Sequence, residues 1–335
     1  MEQLVISDFG TYLGKRSERA WVKRSDGTEE EYPLFRLGEI VIAKQGVSIS
    51  ADLIADAVRR GIRISFLDFR GEPYAMLSSP FLTATAVTRR AQLGAYHSEK
   101  GVEFGRTMVR GKLRNQANLL KYSAKYLRAK DEEGYRAVSE VAREIGQSEK
   151  KAAQIQGRCV SEVREVLMGL EGNAGKRYWE GVAVLLRGYA FEGREHRGAT
   201  DLVNSLLNYG YGILYSKVWG ALLHAGLEPF CGFLHVDRPG KPSLVLDFIE
   251  EFRQPVVDRT IFALVNRGVN LKVEKGLLSP KTRRIVAEKV LDRLEGKASF
   301  EGKQYKLKSI IQMQARHLAM FFRGERPYRC YRFRW

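Results

Sequence analysis

Residues 62–80 read IRISFLDFRGEPYAMLSSP, and the fold class turns on them. Ile62–Asp68 is rich in β-branched and apolar side chains. Phe69-Arg70-Gly71-Glu72 has turn composition, and a last strand is expected near Tyr74–Leu77. Ser78-Ser79-Pro80 then punctuates the chain. Upstream, the signals stay strand-like. Trp21–Arg24 and Tyr32–Phe35 flank Ser25-Asp26-Gly27, a hairpin signature, and Glu39–Lys44 is a further strand. One short helix is expected there, capped by Ser50, with Leu53, Ile54 and Ala57 on its apolar face and Gly61 at its end. Downstream of Pro80 the apolar residues recur at helical spacing. The chain is therefore predicted to be α+β: a β-rich domain over 1–80, a linker over 81–95 and a helical domain over 96–335.

The charge divides at the same place. The 335 residues carry a formal net charge of +17. Residues 1–80 hold 11 basic and 12 acidic side chains; residues 81–335 hold 45 and 27. The first part is suited to scaffolding or dimerisation, and the second to holding a polyanion, nucleic acid before anionic membrane. No apolar run approaches the ~18–20 residues that cross a bilayer, and MEQLVISDFG has no signal-peptide pattern. Cys159, Cys231 and Cys330 are isolated and form no C-x-x-C, which argues against a disulfide scaffold or thiolate zinc site and fits the cytoplasm. Walker, G-x-S-x-G, H-E-x-x-H and G-x-G-x-x-G motifs are absent, against NTPases, serine hydrolases, zincins and dinucleotide enzymes.

Within the basic part, residues 101–130 carry eight basic side chains and one acid, Glu103, interleaved with Leu113, Leu119, Leu120, Tyr122 and Tyr126. Such a basic amphipathic helix is either a solvated face or a set of phosphate contacts, with Arg110, Arg114 and Lys121 as candidates. Residues 131–150 are acidic and polar, expected as a helix connection and the start of a helix.

Some acids fall where apolar residues belong. Val163, Leu167, Glu171, Ala174 and Tyr178 share one helix face, so Glu171 points toward packed side chains. A buried carboxylate must be paired, protonated or metal-bound; the plain alternative is a salt bridge to Arg177 or Arg187. The second place is Cys231–Arg253, CGFLHVDRPGKPSLVLDFIEEFR. Arg238–Pro242 is a stiff turn, Ser243 a candidate cap, and a helix is expected over Leu244–Phe252 with Asp247 and Glu250 on one side. His235 lies on the loop feeding it. Imidazole plus carboxylate oxygen suits Mn²⁺ and accommodates Mg²⁺. Glu251 and Asp237 are expected on the surface, and Arg238 and Arg253 could hold flanking phosphates.

Leu170-Glu171-Gly172, DLVNSLLNYGYGILY (201–215) and GLEPFCGFLHVDRPGKPSLVLDFIEEFR (226–253) resemble the CRISPR-associated integrase of spacer acquisition, the first-numbered Cas protein. The resemblance extends over essentially the whole chain, including QARHLA (314–319) and the arginine-aromatic tail. It implies a β-sandwich-like N-terminal domain that pairs in a homodimer, and an all-helical catalytic domain. It also implies a metal triad on Glu171, His235 and Glu250, with Asp247 as a supporting acid and Mg²⁺ or Mn²⁺ as the ion. Asn204, Gly210 and Tyr211 would pack around the site, and Tyr178 in the core. The tail, Phe321–Trp335, would dock as an arm or touch DNA or a partner.

The implied partners are prespacer DNA, the CRISPR repeat and the small ferredoxin-like second-numbered Cas protein. The implied reaction is transesterification, in which a prespacer 3′-OH attacks a phosphodiester at a repeat boundary. Two rivals remain open at this point: a structure-selective nuclease on branched DNA, and a non-catalytic DNA-binding scaffold.

Overall fold

The computed structural model describes residues 2–69, 71, 73–77, 85–186, 188–189, 191–195, 198–274 and 276–333. Ser78-Ser79-Pro80, Arg70, Glu72, Arg187, Arg334 and Trp335 thus lie outside the described residues. The chain divides into two compact units, Met1–Thr83 and Ala84–Trp335.

The first unit runs β1 (Glu2–Ile6), β2 (Tyr12–Arg16), β3 (Arg19–Lys23), β4 (Glu29–Pro33), β5 (Leu37–Ile42), β6 (Ser48–Ile49), α1 (Ala51–Arg59), β7 (Arg63–Leu67) and β8 (Pro73–Leu77). It forms two four-stranded sheets, β1-β5-β7-β8 and β4-β3-β2-β6. β1, β5 and β7 are parallel, whereas β2, β3 and β4 form an antiparallel meander. Both sheets and α1 supply one core, with Leu4, Ile6, Leu13, Val22, Ile40, Ile42, Leu53 and Ile64 nearly inaccessible. Alternation along each strand sends these residues inward. A hairpin turns at Ser25-Asp26-Gly27 as expected, but its second strand is Glu29–Pro33 rather than Tyr32–Phe35, with Leu34–Arg36 a tight helical turn. The Ser50 cap is present, Ser50 Oγ accepting from Leu53 N–H at 3.2 Å.

The second unit is helical: α2 (Thr85–Tyr96), α3 (Glu99–Ala124), α4 (Glu132–Ala153), α5 (Val160–Leu185), α6 (Leu202–His224), α7 (Ser243–Ile249) and α8 (Arg259–Asn266). A π-helical turn, Arg253–Asp258, precedes α8. β9 (Val273–Glu274), β10 (Leu277–Leu278), α9 (Pro280–Glu295), β11 (Lys297–Phe300), β12 (Lys303–Lys306) and α10 (Leu307–Phe322) complete it. It is thus not all-helical, since β9–β10 and β11–β12 form two short antiparallel ribbons. Helices α3, α4 and α5 pack together, and α6 is enclosed by α7, α9, α10 and the π turn. Enclosure explains why α6 is apolar on every side. Among the described residues no helix is long and apolar enough to cross a membrane.

Two expectations change. The 81–95 segment is helix from Thr85 on, within the second unit, rather than linker. Its buried face is Thr88, Gln92 and Ala95, and Gln92 donates to the carbonyls of Glu228 (2.9 Å) and Cys231 (2.7 Å). A helix fastened by an amide shows no apolar stripe. Residues 131–150 are not a connection but the body of α4, capped by Asp131 on Gly134 N–H.

Candidate metal centre and nucleic-acid site

Glu171 sits midway along α5, on the side facing α3, as its apolar face requires. Its partner is not Arg177, and Arg187 lies outside the described residues. Arg177 is taken by Glu144 and Glu180, and Lys112 of α3 contacts Glu171 Oε1 instead. The same Lys112 ammonium lies 2.8 Å from Glu250 Oε2. Lys112 therefore bridges two carboxylates supplied by different helices.

Glu250 follows the last turn of α7 and is 6% exposed. Arg253 Nε stands 3.0 Å from its Oε1. Burial works to raise the Glu250 carboxyl, but Arg253 and Lys112 beside it hold it at about 2. The two cations compensate its charge without good hydrogen-bond alignment. Glu250 Oε2 is buried with no hydrogen-bond partner in acceptable geometry, although the ammonium lies within ion-pair distance. Burial likewise opposes charge on Lys112, and Glu250 and Glu171 outweigh it.

Asp247 organises the loop that carries His235. Its Oδ2 accepts from the backbone N–H of Phe233 (2.6 Å) and Leu234 (3.0 Å), and its Oδ1 accepts from His235 N–H (3.0 Å). The His235 ring meets the same Oδ1 through Nδ1 at 2.7 Å. That contact fixes the ring and leaves Nε2 for another partner. Close approach of the loop needs Gly232, since a Cβ there would lie 2.5 Å from Ser243 C and 2.8 Å from Asp247 Oδ2. Ser243 is not the expected cap. Pro242 holds that position, and Ser243 Oγ accepts from Gly232 N–H at 2.8 Å, pinning the loop to the helix.

Among the described residues no three His, Cys, Asp or Glu side chains already surround one point. The structure brings Glu171 and Glu250 together on a shared cation, with His235 near enough to act electrostatically on Glu250. Two carboxylates and an oriented imidazole are a donor set for Mg²⁺ or Mn²⁺. The orphaned Glu250 oxygen fits a further cationic partner. On these grounds the residues suit a divalent ion.

The cleft beside Glu171, about 310 Å³, is lined also by Lys112, Lys176, Arg194 and Arg253. Of the five candidate phosphate contacts, Arg253 belongs to this site. Arg110 and Arg114 both pair with the buried Glu149 at 3.1 Å. Lys121 and Arg238 are exposed, away from the cleft lining. Tyr178 is core, as expected; its hydroxyl donates to Asp258 at 2.7 Å, and Tyr211 donates to the same carboxylate. Burial raises Asp258, against the pull of these two hydroxyls. Gly210 packs on Val257, and Asn204 is fixed by the Asp201 cap at the start of α6.

Glu251 overturns its surface expectation. It is fully buried and accepts from Gln314 Nε2 (3.0 Å), Tyr331 N–H (2.6 Å) and the Tyr328 hydroxyl. The tail is a docked arm, with Tyr328, Tyr331 and Phe333 buried. Asp237 remains exposed, as expected.

A family model described as CRISPR associated protein Cas1 matches residues 4–291. The chain belongs to the Cas1 family. A Cas1 endonuclease of Archaeoglobus fulgidus is 34% identical over 99% of this chain and all of that protein. One from Francisella tularensis subsp. novicida is 36% identical over the full length of both. Solved structures share the Cas1 fold. A casposase bound to integration product superposes with a TM-score of 0.83 at 21% identity, covering 98% of this chain and 92% of that one. A Cas1 protein from Thermotoga maritima gives 0.79 at 22% identity, covering 98% and 99%. A Cas6-RT-Cas1–Cas2 complex gives 0.78 at 20% identity, covering 99% of this chain and 36% of that one.

Lys112, Arg194, Gln116 and Gln254 were not singled out from sequence. Lys112 is one of eight basic residues in a row of turns, with nothing to mark it as the one that faces inward. Arg194 lies in an aperiodic loop.

Proposed function

We propose that this Cas1 chain is a metal-dependent DNA endonuclease and integrase that inserts prespacer DNA into a CRISPR array. The observation that carries the reading is the pair Glu171 and Glu250, drawn onto the Lys112 ammonium, which with Glu171 lines a cleft that holds three further basic side chains. Glu171, Glu250 and His235 would hold Mg²⁺ or Mn²⁺, with Asp247 fixing the His235 ring. The bound ion supplies Lewis-acid stabilisation to charge developing on the reacting phosphodiester. Arg253 contributes fixed positive charge at the same place, and the buried surroundings strengthen it.

In the reaction, a DNA 3′-OH forms a new bond to phosphorus at the repeat boundary while the bond to the departing 3′ oxygen breaks. Phosphodiester number is conserved, so no nucleotide hydrolysis is needed. With water as nucleophile the same site cuts DNA. The casposase relative was solved with an integration product, and another relative in a complex with Cas2. By analogy, the partners here are prespacer DNA, the repeat, a second copy of this chain through the β-rich unit, and a small ferredoxin-like Cas2.

The test is joining of a 3′-OH duplex to a repeat-bearing plasmid with Mg²⁺ or Mn²⁺ and Cas2. New joints support the integrase. Cut arms without joints would favour a branched-DNA nuclease, and salt-sensitive binding without metal-dependent chemistry a scaffold.

A further inference from the structure

Tyr211 ties the two ends of the π-helical turn together. Five positions apart, Arg253 and Asp258 would fall about 140° apart around an α-helix. The wider π turn, with its i to i+5 repeat, brings them to one side. There the Arg253 guanidinium stands 4.6 Å from the Tyr211 ring centre, and the Tyr211 hydroxyl donates to Asp258 Oδ1. The other oxygen, Oδ2, accepts from the Tyr178 hydroxyl at 2.7 Å. The turn is also held by α9, whose Arg293 Nε donates to the Pro255 carbonyl at 2.9 Å.

Asp258 is completely buried, and both of its oxygens accept from neutral hydroxyls. Arg253 and Arg194 act on it electrostatically. A buried charge of this kind is a weak source of net stability, since well-packed apolar side chains of similar volume often do as well. Its distinct contribution is direction, because hydrogen bonds hold their partners to narrow distances and angles that apolar contact does not. The elements tied in this way carry the candidate metal-binding acids. Tyr178 lies two turns after Glu171 on the same face of α5. Arg253, resting on Tyr211, stands 3.0 Å from Glu250 Oε1. An unbroken series of contacts therefore runs from α5 through Tyr178, Asp258, Tyr211 and Arg253 to Glu250.

We propose that Asp258 is a positioning residue: through Tyr178 on one side and Tyr211 with Arg253 on the other, it sets the spacing of Glu171 and Glu250, and with it how well the pair suits Mg²⁺ relative to Mn²⁺. Mg²⁺ is small and demands near-ideal octahedral geometry, whereas Mn²⁺ is larger and is also suited by imidazole. A loosened pair therefore penalises Mg²⁺ more. This rests on the metal reading above and names the residue behind its selectivity.

The test is equilibrium binding of Mn²⁺ to the full chain without DNA. Free Mn²⁺ is read by its electron paramagnetic resonance signal, and Mg²⁺ is added as competitor. Tyr178→Phe and Tyr211→Phe each take one hydroxyl from Asp258 and keep the ring. Each should weaken Mn²⁺ binding about tenfold, the scale for losing an outer partner of a metal ligand. Mg²⁺ should lose more than Mn²⁺, so the ratio of the two affinities falls. Val138→Ala, a truncation in the buried core on α4, is the control for lost stability and should bind both ions like the native chain. Native affinities in both tyrosine variants overturn the proposal. So does an equal loss for the two ions, or a loss shared by Val138→Ala. A native chain that binds neither ion overturns this proposal and the metal reading together.

Discussion

Glu251 Oε2 accepts a 2.6 Å hydrogen bond from the backbone N–H of Tyr331. Its neighbour Glu250 pairs with Lys112 and Arg253, two residues that line the cleft. Two consecutive acids thus do different work, one at the candidate site and one docking the tail. Glu251 has four donors that favour its ionised form, from Tyr328, Tyr331, Gln314 and Cys330, yet burial dominates and pushes it up to about 7. An unfolded glutamate titrates near pH 4.3, at about that value in model peptides. Between those values the folded chain keeps a proton that the unfolded chain has lost. The group's stabilising contribution is therefore complete at the acid end and lost as pH rises through 7, on the order of 3 kcal/mol. Urea midpoints from pH 4 to 8 should fall more in the native chain than in Glu251→Gln. Parallel profiles would refute the assignment.

Glu171→Gln, Glu250→Gln and His235→Ala should each lower metal-dependent joining and cutting by about a hundredfold or more. The far-ultraviolet spectrum should be unchanged. Chelation with EDTA should abolish both activities. Native rates in all three variants would remove these residues from the site.

Lys112→Met leaves Glu171 and Glu250 facing each other without their shared cation. Metal-free stability should fall by about 3 kcal/mol, the scale for breaking a buried ion pair. A metal that takes both carboxylates has to displace this ammonium. Added Mn²⁺ should then raise the melting temperature more in Lys112→Met than in the native chain, read by scanning calorimetry. An equal rise in both would show that Lys112 does not compete for the position.

Asp247→Asn replaces an oxygen facing backbone donors with an amide N–H₂. The loop over Phe233–His235 would lose one acceptor, at a cost of about 1–3 kcal/mol. Joining should fall with it, because the His235 ring loses its anchor. Retention of native stability and rate would contradict the role given to Asp247.

Gly111→Ala puts a Cβ 2.5 Å from Cys330 Cβ, under the docked tail. Overpacking there should cost about 1–3 kcal/mol and expose the chain after Arg323 to limited proteolysis. An unchanged cleavage pattern would show that the tail accommodates the methyl.

What could be read in the chain follows from local rules. The strand-to-helix change after Pro80 and the Ser50 cap are set by residues close in sequence. An acid on an apolar helix face is also local, which is why Glu171 was legible. The α2 helix was not, because its buried face is Thr88, Gln92 and Ala95 rather than an apolar stripe. Glu251 was misjudged for a different reason. Leu244, Val245, Phe248, Ile249 and Phe252 are all buried, so this stretch has no solvent face to offer. A carboxylate there needs partners, and they come from Gln314, Tyr328 and Tyr331, far along the chain.

The sequence by itself determined the two-part α+β organisation, the basic second unit and the inward-facing acids. Periodicity, charge and turn chemistry act over a few residues, so they survive in one dimension. Only the tertiary structure decided which cation stands between Glu171 and Glu250, and what Glu251 is for. Those are contacts between residues tens of positions apart. Their energies depend on burial and geometry, which packing alone creates.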